Sequence, residues 1–367
     1  MRSTGGQHFE TLDHVRALAA FLVFSWHFLH GFRGFPVPFE GSPSLFLLAP
    51  FDEGQCGVSL FMTLSGYLFA RLLAGRAVNY PAFLWNRIVR LAPLLLVVIL
   101  VVLVQRYFAG KPLAPYLNQL LAGFYGPGWP NGGWSIAVEI HFYIVLPFLL
   151  ILLRRSPAWM LAVLAAAIAL RCMLYFKDGT VQWFAYWTIV GRIDQFVLGI
   201  LVCHYRSFFA GRWRLGLGVT VAFCAFYWLF DRAGGFYYMG GYPTPNPIWI
   251  IMPTIEGLAF ATMIVVYDTS FRPSGWLSFA VGKIGEYSYS MYLLHFFFVS
   301  RLQQFFAGSN TESHNFYVAM IWSLLSFLAL VPICAASYYL IERPGARWRV
   351  SYVGTRTAPA VERVATG

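Results

Sequence analysis

The fold is decided by LDHVRALAAFLVFSWHFLH, residues 12–30, an apolar stretch that contains charged and imidazole side chains. Arg16 and His27 are eleven residues apart in it. Each residue of an α-helix turns the chain by about 100°, so eleven residues bring a side chain back to nearly the same direction, and Arg16 and His27 share one helix face. Asp13 and Ala20 lie close to this face. A charged side chain deep in a bilayer costs on the order of 3 kcal/mol and seldom lacks a partner or a purpose. The stretch therefore predicts a first transmembrane helix with a functional site on one face.

The composition of the whole chain supports a membrane setting. Of its 367 residues, 59% are hydrophobic and only 11% are charged, against about 25% charged residues in soluble domains. The apolar runs are separated by loops too short to fold alone. We therefore expect one transmembrane domain over residues 1–350 and a loose cytoplasmic tail over residues 351–367. The polar, weakly basic start leads into the first helix without a small-residue cleavage site, which predicts no cleavable signal.

The predicted fold is an all-α polytopic integral membrane protein with about ten transmembrane helices. Each apolar segment is close to the ~20 residues that a bilayer requires. The segments centre on residues 12–32, 55–74, 84–106, 134–153, 158–176, 184–205, 213–231, 248–268, 279–302 and 316–341.

The basic residues predict the orientation. With the N-terminus in the cytoplasm, seventeen Lys and Arg residues lie on the inner side and seven, including Arg171, lie on the outer side, with Arg16 and Arg192 within the membrane. This is the bias that the positive-inside rule describes, so we expect both termini in the cytoplasm. The net charge of +11 is then explained by the basic residues of the inner loops. The basic residues form no stripe or basic helix, which argues against nucleic acid as a partner.

The sequence lacks the motifs of several common kinds of site. The five cysteines have no CxxC spacing and are predicted to be packing residues. No HExxH motif or paired Cys/His cluster indicates a metal, and no GxSxG elbow indicates a serine hydrolase. No internal repeat indicates an inverted transporter architecture.

Six blocks, taken in order, resemble the successive signatures of the membrane acyltransferase-3 family. They are LDHVRALAAFLVFSWH (12–27), GVSLFMTLSGYLF (57–69), FLWNRIVRLAP (83–93), WSIAVEIHFYIVLP (134–147), GEYSYSMYLLH (285–295) and YLIERP (339–344). The family includes bacterial O-antigen, exopolysaccharide and nodulation-factor O-acetyltransferases and macrolide acyltransferases. The resemblance implies a ten-helix fold that takes an acyl group, usually acetyl, from cytoplasmic acyl-CoA. Acyl-CoA is then a co-substrate rather than a tightly bound cofactor, and the acceptor is a hydroxyl on a lipid-linked or extracytoplasmic molecule.

His27 is the candidate catalytic residue. Acyl transfer to a hydroxyl needs a base or a nucleophile, together with donors for the developing oxyanion. An imidazole suits the first role, and His27 matches the essential histidine of the family's Arg-x10-His motif. Asp13 and Arg16 are expected to form an i,i+3 ion pair that lets Arg16 enter the helix. The alternative is that Arg16 and His27 are a structural polar pair that locks helices together.

Arg87 and Arg90 are candidate donor-binding residues. They lie at i,i+3 on one face at the predicted cytoplasmic end of the third apolar segment. Guanidinium groups suit the phosphates of a CoA nucleotide, and the block matches the family's Arg-x-x-Arg motif for acyl-CoA binding. The alternative is that these arginines only satisfy the positive-inside rule.

The fourth apolar segment carries Trp134 and, on a common stripe at i, i+4 and i+8, Ser135, Glu139 and Tyr143. The predicted topology places this cluster near the outer face, where an acceptor sugar could enter. Glu139 is expected to orient His27 or the acceptor hydroxyl, or else to pair with Arg192. Trp134 is expected to stack on a sugar ring, or else to be an ordinary interfacial tryptophan.

Two later blocks supply supporting candidates. Ser288, Tyr292 and His295 share one face of the ninth segment at i, i+4 and i+7, and His295 is either a catalytic helper or a hydrogen-bonded packing residue. Glu342 ends the last segment, because Pro344 prevents its continuation. We expect Glu342 to be a structural or gating partner for an inner arginine.

Three more charges are predicted within the membrane. Arg192 and Asp194 are two residues apart and cannot face each other on a helix, so each needs a partner on another helix. Glu256 is a further intramembrane carboxyl without an assigned partner.

The sequence thus predicts an O-acyltransferase of the bacterial inner membrane, with acetyl-CoA as donor and the bilayer as its setting. The expected acceptor is a cell-envelope glycan or a lipid-linked saccharide, selected by outer loops over residues 32–53, 107–133 and 234–246. Three alternatives stay open: acylation of a macrolide or another small secreted molecule, a glycolipid transporter or flippase, and the membrane-bound O-acyltransferase architecture.

Overall fold

The computed structural model describes residues 9–30, 43–73, 75–237, 241–308 and 315–354. Within these ranges the chain is helical, and its β contact is an isolated bridge between Val78 and Val353. Parts of two predicted acceptor loops, at 31–42 and 238–240, lie outside the described residues. So does the predicted tail from residue 355 onward.

Sixteen α-helices follow one another along the described chain. They are α1 (Glu10–Leu29), α2 (Ala49–Asp52), α3 (Cys56–Leu73), α4 (Tyr80–Phe108), α5 (Ala114–Ala122), α6 (Trp134–Arg155), α7 (Ala158–Asp178), α8 (Gln182–Trp187), α9 (Ile189–His204), α10 (Arg206–Phe209), α11 (Trp213–Arg232), α12 (Met252–Ser270), α13 (Gly275–Glu286), α14 (Ser288–Gly308), α15 (Phe316–Ser337) and α16 (Arg343–Gly345). Short 3₁₀ turns cover Phe46–Leu48, Pro247–Ile250 and Ala346–Trp348, and a π-helical turn covers Tyr338–Glu342.

Six of the helical spans in the described ranges are long and apolar enough to cross a membrane. They are α3, α4, α6, α7, α11 and the continuous span Phe316–Trp348. The prediction of an all-helical, multi-pass membrane protein is therefore confirmed. All the predicted apolar segments overlap helices, and the count of ten membrane crossings stays a prediction.

Two of the predicted continuous segments are interrupted. Segment 184–205 breaks at Thr188, which has extended backbone angles and whose hydroxyl accepts a hydrogen bond from the backbone amide of Gly191 at 2.9 Å. That bond caps the start of α9. Segment 279–302 breaks at Tyr287, between α13 and α14. Thr188 has apolar neighbours on both sides, so hydropathy did not reveal the first break, whereas Glu286 and Ser288 flank the second.

Helix α3 lies at the centre of the bundle, in contact with α1, α9 and α12. It approaches α9 closely at Gly66 and Gly199. A Cβ on Gly66 would lie 2.1 Å from the carbonyl oxygen of Phe196, and one on Gly199 would lie 2.2 Å from that of Thr63. Small residues at such crossings let membrane helices pack backbone to backbone. The close approach fixes the position of α3, which lines the candidate site.

A fully buried ion pair joins α7 to α9. Arg171 donates to both carboxylate oxygens of Asp194, at 2.9 and 2.7 Å, and neither side chain is exposed. Arg171 also donates to the carbonyls of Ile250 at 2.7 Å and Gly191 at 2.9 Å. The expectation that Asp194 has a partner on another helix is confirmed. Arg171, which is predicted to lie on the outer side, is buried in the protein interior, where Asp194 compensates its charge.

A second buried network links Arg192 to Glu256 through neutral groups. Arg192 donates to the hydroxyl of Ser59 at 2.9 Å and to the side-chain oxygen of Gln195 at 3.1 Å. Ser59 and Gln195 in turn donate to Glu256 at 2.6 and 2.9 Å, and Tyr227 also donates to it. The alternative pairing of Arg192 with Glu139 is wrong, because no ion pair joins the two side chains in the described ranges.

Candidate active site

An interior cavity brings several of the predicted site residues together. It has about 740 Å³ of empty space, open solvent included, and is lined by side chains from α1, α3, α4, α6 and α14. Its polar lining residues are Arg16, Ser65, Arg90, Ser135, Glu139, Ser288, Tyr289 and Tyr292. Six of the residues named from the sequence thus share what we call the transfer cavity: Arg16, Arg90, Ser135, Glu139, Ser288 and Tyr292.

Arg16 enters the cavity wall as half of the predicted ion pair. Its guanidinium bonds to the carboxylate of Asp13 three residues earlier, which confirms the i,i+3 prediction. Asp13 is buried, whereas the Arg16 side chain keeps 13% of its surface exposed. The Asp13 carboxylate stabilises the Arg16 guanidinium beside the cavity, where the guanidinium can contact a bound molecule.

Glu139 is held by two hydroxyl donors. Tyr143, one helical turn later, donates to its carboxylate, and Ser65 of α3 donates to it at 3.3 Å. Tyr143 is buried against Phe69 and Phe83, so its ring is fixed. Tyr143 therefore acts through Glu139 and does not line the cavity itself. Sequence reasoning missed Ser65, although it lies within the quoted block 57–69.

Ser135 binds Tyr292 across the cavity wall. Its hydroxyl donates to the Tyr292 oxygen at 2.7 Å and also approaches the carbonyl of Gly132 at 3.1 Å. The side-chain amide of Asn131 donates to the carbonyl of Leu293 at 3.0 Å. The loop before α6 is thereby joined to α14, and Ser135 faces Tyr292 as well as the cavity.

Trp134 lies among protein rings. It is 8% exposed, and its ring centroid lies 4.5 Å from that of Trp187 and 5.1 Å from that of Tyr186. The Arg192 guanidinium lies 5.5 Å from the Trp134 centroid. A sugar ring would have to displace these neighbours. The packing therefore favours a structural role for Trp134 over the predicted stacking on a sugar.

The two candidate histidines lie next to each other. The ring centroids of His27 and His295 are 5.2 Å apart, and Phe296 lies 4.5 Å from His27. His295 is buried, its Nδ1 lies 3.1 Å from the carbonyl of Met291, and its Nε2 has no hydrogen-bond partner among the described residues. Neither ring lines the transfer cavity, but Tyr292 does, and its ring lies 6.2 Å from that of His295. His27 therefore lies beside His295, which in turn lies beside Tyr292 in the cavity wall.

The two predicted donor-binding arginines lie near the start of α4. Arg90 lines the cavity, and Arg87 lies over the rings of Phe69 and Phe83 at 5.2 and 5.5 Å. The Nε atoms of both are buried without a hydrogen-bond partner in the part of the chain that the structure describes. Buried polar groups are normally hydrogen-bonded, so these guanidinium groups retain the capacity to bind an anion.

Glu342 is predicted to be a structural or gating partner for an inner arginine, and two arginines interact with it without forming an ion pair among the described residues. It is buried, and its Oε1 accepts a hydrogen bond from Ser290 at 2.5 Å. Its other oxygen has no hydrogen-bond partner among the described residues, and no ion pair to it is formed there. Arg90 and Arg349 interact with it electrostatically from outside ion-pair distance.

A carboxyl group joins two of the predicted acceptor loops. Glu53 accepts a hydrogen bond from the backbone amide of Phe236 at 3.0 Å, and the Asp52 carboxylate lies 3.4 Å from His30 at the end of α1. Burial, and then the charge of Asp231, raise the pKa of Glu53 from 4.5 to about 8. Glu53 is therefore protonated at neutral pH in the folded protein.

Stability is expected to fall as the pH rises from about 4.5 to about 8, the interval between the pKa of Glu53 in the unfolded and folded states. In that interval the folded state binds more protons than the unfolded state, so raising the pH favours unfolding. Thermal melts in detergent from pH 5 to pH 8.5 measure this, and Glu53→Gln should flatten the slope. An unchanged slope in the variant would assign the pH dependence to other groups.

Glu139→Gln is expected to lower turnover by about tenfold or more, because a hydrogen bond to a charged group contributes about 1.5–3 kcal/mol and the amide has no charge. The amide keeps the size of the side chain, so the melting temperature and the affinity for CoA should stay near those of the wild type. Acyl transfer at saturating donor measures the effect. If Glu139→Gln turned over at the wild-type rate, Glu139 would be only a packing residue.

Comparison with known proteins establishes the family. A family model described as an acyltransferase domain matches residues 9–341. The chain belongs to the acyltransferase-3 family. It is therefore a membrane acyltransferase, which sets aside the transporter and the alternative acyltransferase architecture.

Three relatives illustrate the similarity. BcsY of Komagataeibacter xylinus, named as a membrane-bound transacylase, is 27% identical over 318 residues, 80% of this chain and 76% of the relative. The acyltransferase MdmB of Streptomyces mycarofaciens is 25% identical over 351 residues, 84% of this chain and 86% of the relative. A protein of Staphylococcus aureus named as an O-acetyltransferase is 21% identical over 82% of this chain, which spans 55% of that relative. No solved structure matches the chain significantly.

Proposed function

We propose that this acyltransferase moves an acyl group, in the first instance acetyl, from acyl-CoA on the cytoplasmic face of a bacterial plasma membrane. The acceptor is a hydroxyl of a cell-envelope glycan or a lipid-linked saccharide on the other side. The observation that carries the proposal is the transfer cavity, because its lining extends from Arg90 to Tyr292, whose ring lies 6.2 Å from that of His295.

The donor would bind along α1. Arg16 and His27 are eleven residues apart on this one helix, which is about 16 Å along its axis. One reacting carbonyl cannot contact both side chains. Arg16 therefore binds the arm of the donor, while Arg87 and Arg90 bind its phosphates and His27 acts at the thioester.

His27 would accept the proton of the acceptor hydroxyl as the oxygen attacks the thioester carbonyl, and the CoA thiolate leaves. The C–O bond of the new ester forms as the C–S bond of the thioester breaks, and the proton taken by His27 can return to the CoA thiolate. His295 lies beside His27 and positions its ring. General-base assistance of this kind contributes about 10²–10⁴ in rate.

The proposal includes ten membrane crossings with both termini in the cytoplasm. In this orientation the basic ends of α6 and α11, at Arg154 and Arg212, lie on the inner side. Acyl-CoA is strongly charged and does not cross a bilayer, so the face that consumes it identifies the cytoplasmic side.

Sealed membrane vesicles test donor and orientation together. Inside-out vesicles that contain the protein should transfer label from radioactive acetyl-CoA to the glycan or lipid fraction, whereas sealed right-side-out vesicles should not. Vesicles without the protein are the control. Transfer only in right-side-out vesicles would contradict the orientation, and no consumption of acetyl-CoA in either would contradict the donor. Label found only on a small soluble molecule would support the alternative acceptor class.

A further inference from the structure

The segment after the last helix is bound to the start of α4. We call residues 348–354 the C-terminal strap. The side-chain amide of Asn86 donates to the carbonyl of Val350 at 2.7 Å and accepts from its amide at 2.9 Å. The amide of Asn79 donates to the carbonyl of Tyr352 at 2.9 Å. The first residues of the predicted tail, 351–354, are therefore part of the folded protein.

The strap places a third arginine beside the two predicted donor-binding ones. Burial, and then the positive charges of Arg90 and Arg87, lower the pKa of Arg349 to about 10. Its Nε is buried and, like those of Arg87 and Arg90, has no hydrogen-bond partner in the described ranges. Three guanidinium groups thus lie together with unused donors.

The surrounding carboxylates do not neutralise this cluster. Glu342 interacts with Arg90 and Arg349, and Glu139 interacts with Arg87, but neither forms an ion pair with these arginines among the described residues. Both carboxylates are instead held by hydroxyl groups, Glu342 by Ser290 and Glu139 by Ser65 and Tyr143. Since three cations adjoin two carboxylates, the cluster has an excess of positive charge.

A second cavity opens on this cluster. It has about 840 Å³ of empty space, open solvent included, and its charged lining residues are Lys283, Arg343, Arg349, Glu286 and Glu342. Arg349 lines this cavity, which we call the strap cavity, while its neighbour Arg90 lines the transfer cavity. The π-helical turn Tyr338–Glu342 contributes to its wall, and such turns are frequent at functional sites.

We propose that the strap cavity binds the phosphate-bearing nucleotide end of the acyl donor, with Arg349 as a third phosphate ligand beside Arg87 and Arg90. The acyl arm then enters the transfer cavity past Arg90. Guanidinium groups suit this role because they bind phosphate through two parallel hydrogen bonds. The inference rests on the proposed function, in which the donor is acyl-CoA.

Calorimetric titration of CoA into the purified, detergent-solubilised protein tests the role of Arg349. Arg349→Ala should weaken CoA binding at least tenfold, and Arg349→Lys, which keeps the charge, should weaken it less. Arg347→Ala is the matched control, because Arg347 lies two residues away and is exposed. Its affinity for CoA should stay within twofold of the wild type. Melting temperatures of all variants establish that they are folded.

A donor that lacks the nucleotide shows which part of acetyl-CoA Arg349 binds. S-acetylpantetheine carries the thioester and its arm but no nucleotide. Arg349→Ala should lower kcat/KM at least tenfold with acetyl-CoA and leave kcat/KM with S-acetylpantetheine unchanged. Equal losses with both donors would contradict a nucleotide site.

Different results would contradict the proposed function and the assignment of Arg349. If the wild-type protein neither binds CoA nor consumes acetyl-CoA, the proposed function is wrong. If the wild type binds CoA and Arg349→Ala binds it as tightly as Arg347→Ala does, only the assignment of Arg349 is wrong.

Discussion

Replacing His27 by alanine is expected to lower kcat for acyl transfer by about 10²–10⁴-fold, the usual contribution of a positioned general base. The affinity for CoA should stay near that of the wild type, because the arginines proposed to bind its phosphates lie near the start of α4 and not beside the histidine pair. Label transfer in inside-out vesicles at saturating acetyl-CoA measures the chemical step, and calorimetry measures binding.

His141→Ala is the matched control for this prediction. His141 lies on α6, and its ring contacts Phe124 rather than the transfer cavity. Its loss should leave turnover near the wild-type value. If His27→Ala also transferred acyl groups at the wild-type rate, the alternative that His27 only locks helices together would be favoured.

Replacing Asp194 by alanine is expected to destabilise the protein by about 3–5 kcal/mol, because the change leaves the Arg171 guanidinium buried without its counter-charge. The pair has no exposed surface, so water cannot replace the lost carboxylate. A large drop in melting temperature in detergent, or failure to recover folded protein, is the expected readout.

Two further variants sharpen this test. Asp178→Ala removes an exposed aspartate at the end of α7, and its melting temperature should match that of the wild type. The double change Arg171→Met with Asp194→Leu removes both buried charges and should recover much of the stability lost in the single variant. A single Asp194→Ala variant as stable as Asp178→Ala would contradict the structural role of the pair.

Local spacing predicted the interactions made within one helix. The Asp13–Arg16 pair follows from a separation of three residues, and the contact of Glu139 with Tyr143 follows from a separation of four. Such neighbours lie on one helix face whatever the tertiary fold. The sequence therefore predicted two parts of the candidate site before any packing was known.

Partners on other helices could not be identified in this way. The sequence showed that Asp194 needs a cation from another helix, but only the packing of α7 against α9 selects Arg171. The same holds for Glu256, whose donors come from α3, α9 and α11. Pairing across helices depends on relative rotation and depth, which hydropathy does not specify.

The strap was missed for a different reason. Residues 351–354 have no apolar run, so their composition predicts a tail. They are held mainly by backbone hydrogen bonds to the turn before α4, such as the bond from Asn79 to Tyr352. Backbone pairing of this kind leaves no pattern in the side chains, and Arg349 consequently looked like one more inner basic residue.

In the proposed mechanism, arginines hold the acyl donor while His27 performs the chemistry. Titration of CoA into the Arg87→Ala/Arg90→Ala double variant and into His27→Ala tests it most directly. The double variant should bind CoA at least tenfold more weakly than the wild type, and its transfer activity should recover in part at higher acetyl-CoA. The His27 variant should bind CoA normally and stay inactive at every donor concentration. Loss of CoA binding in His27→Ala together with normal binding in the double variant would contradict the account.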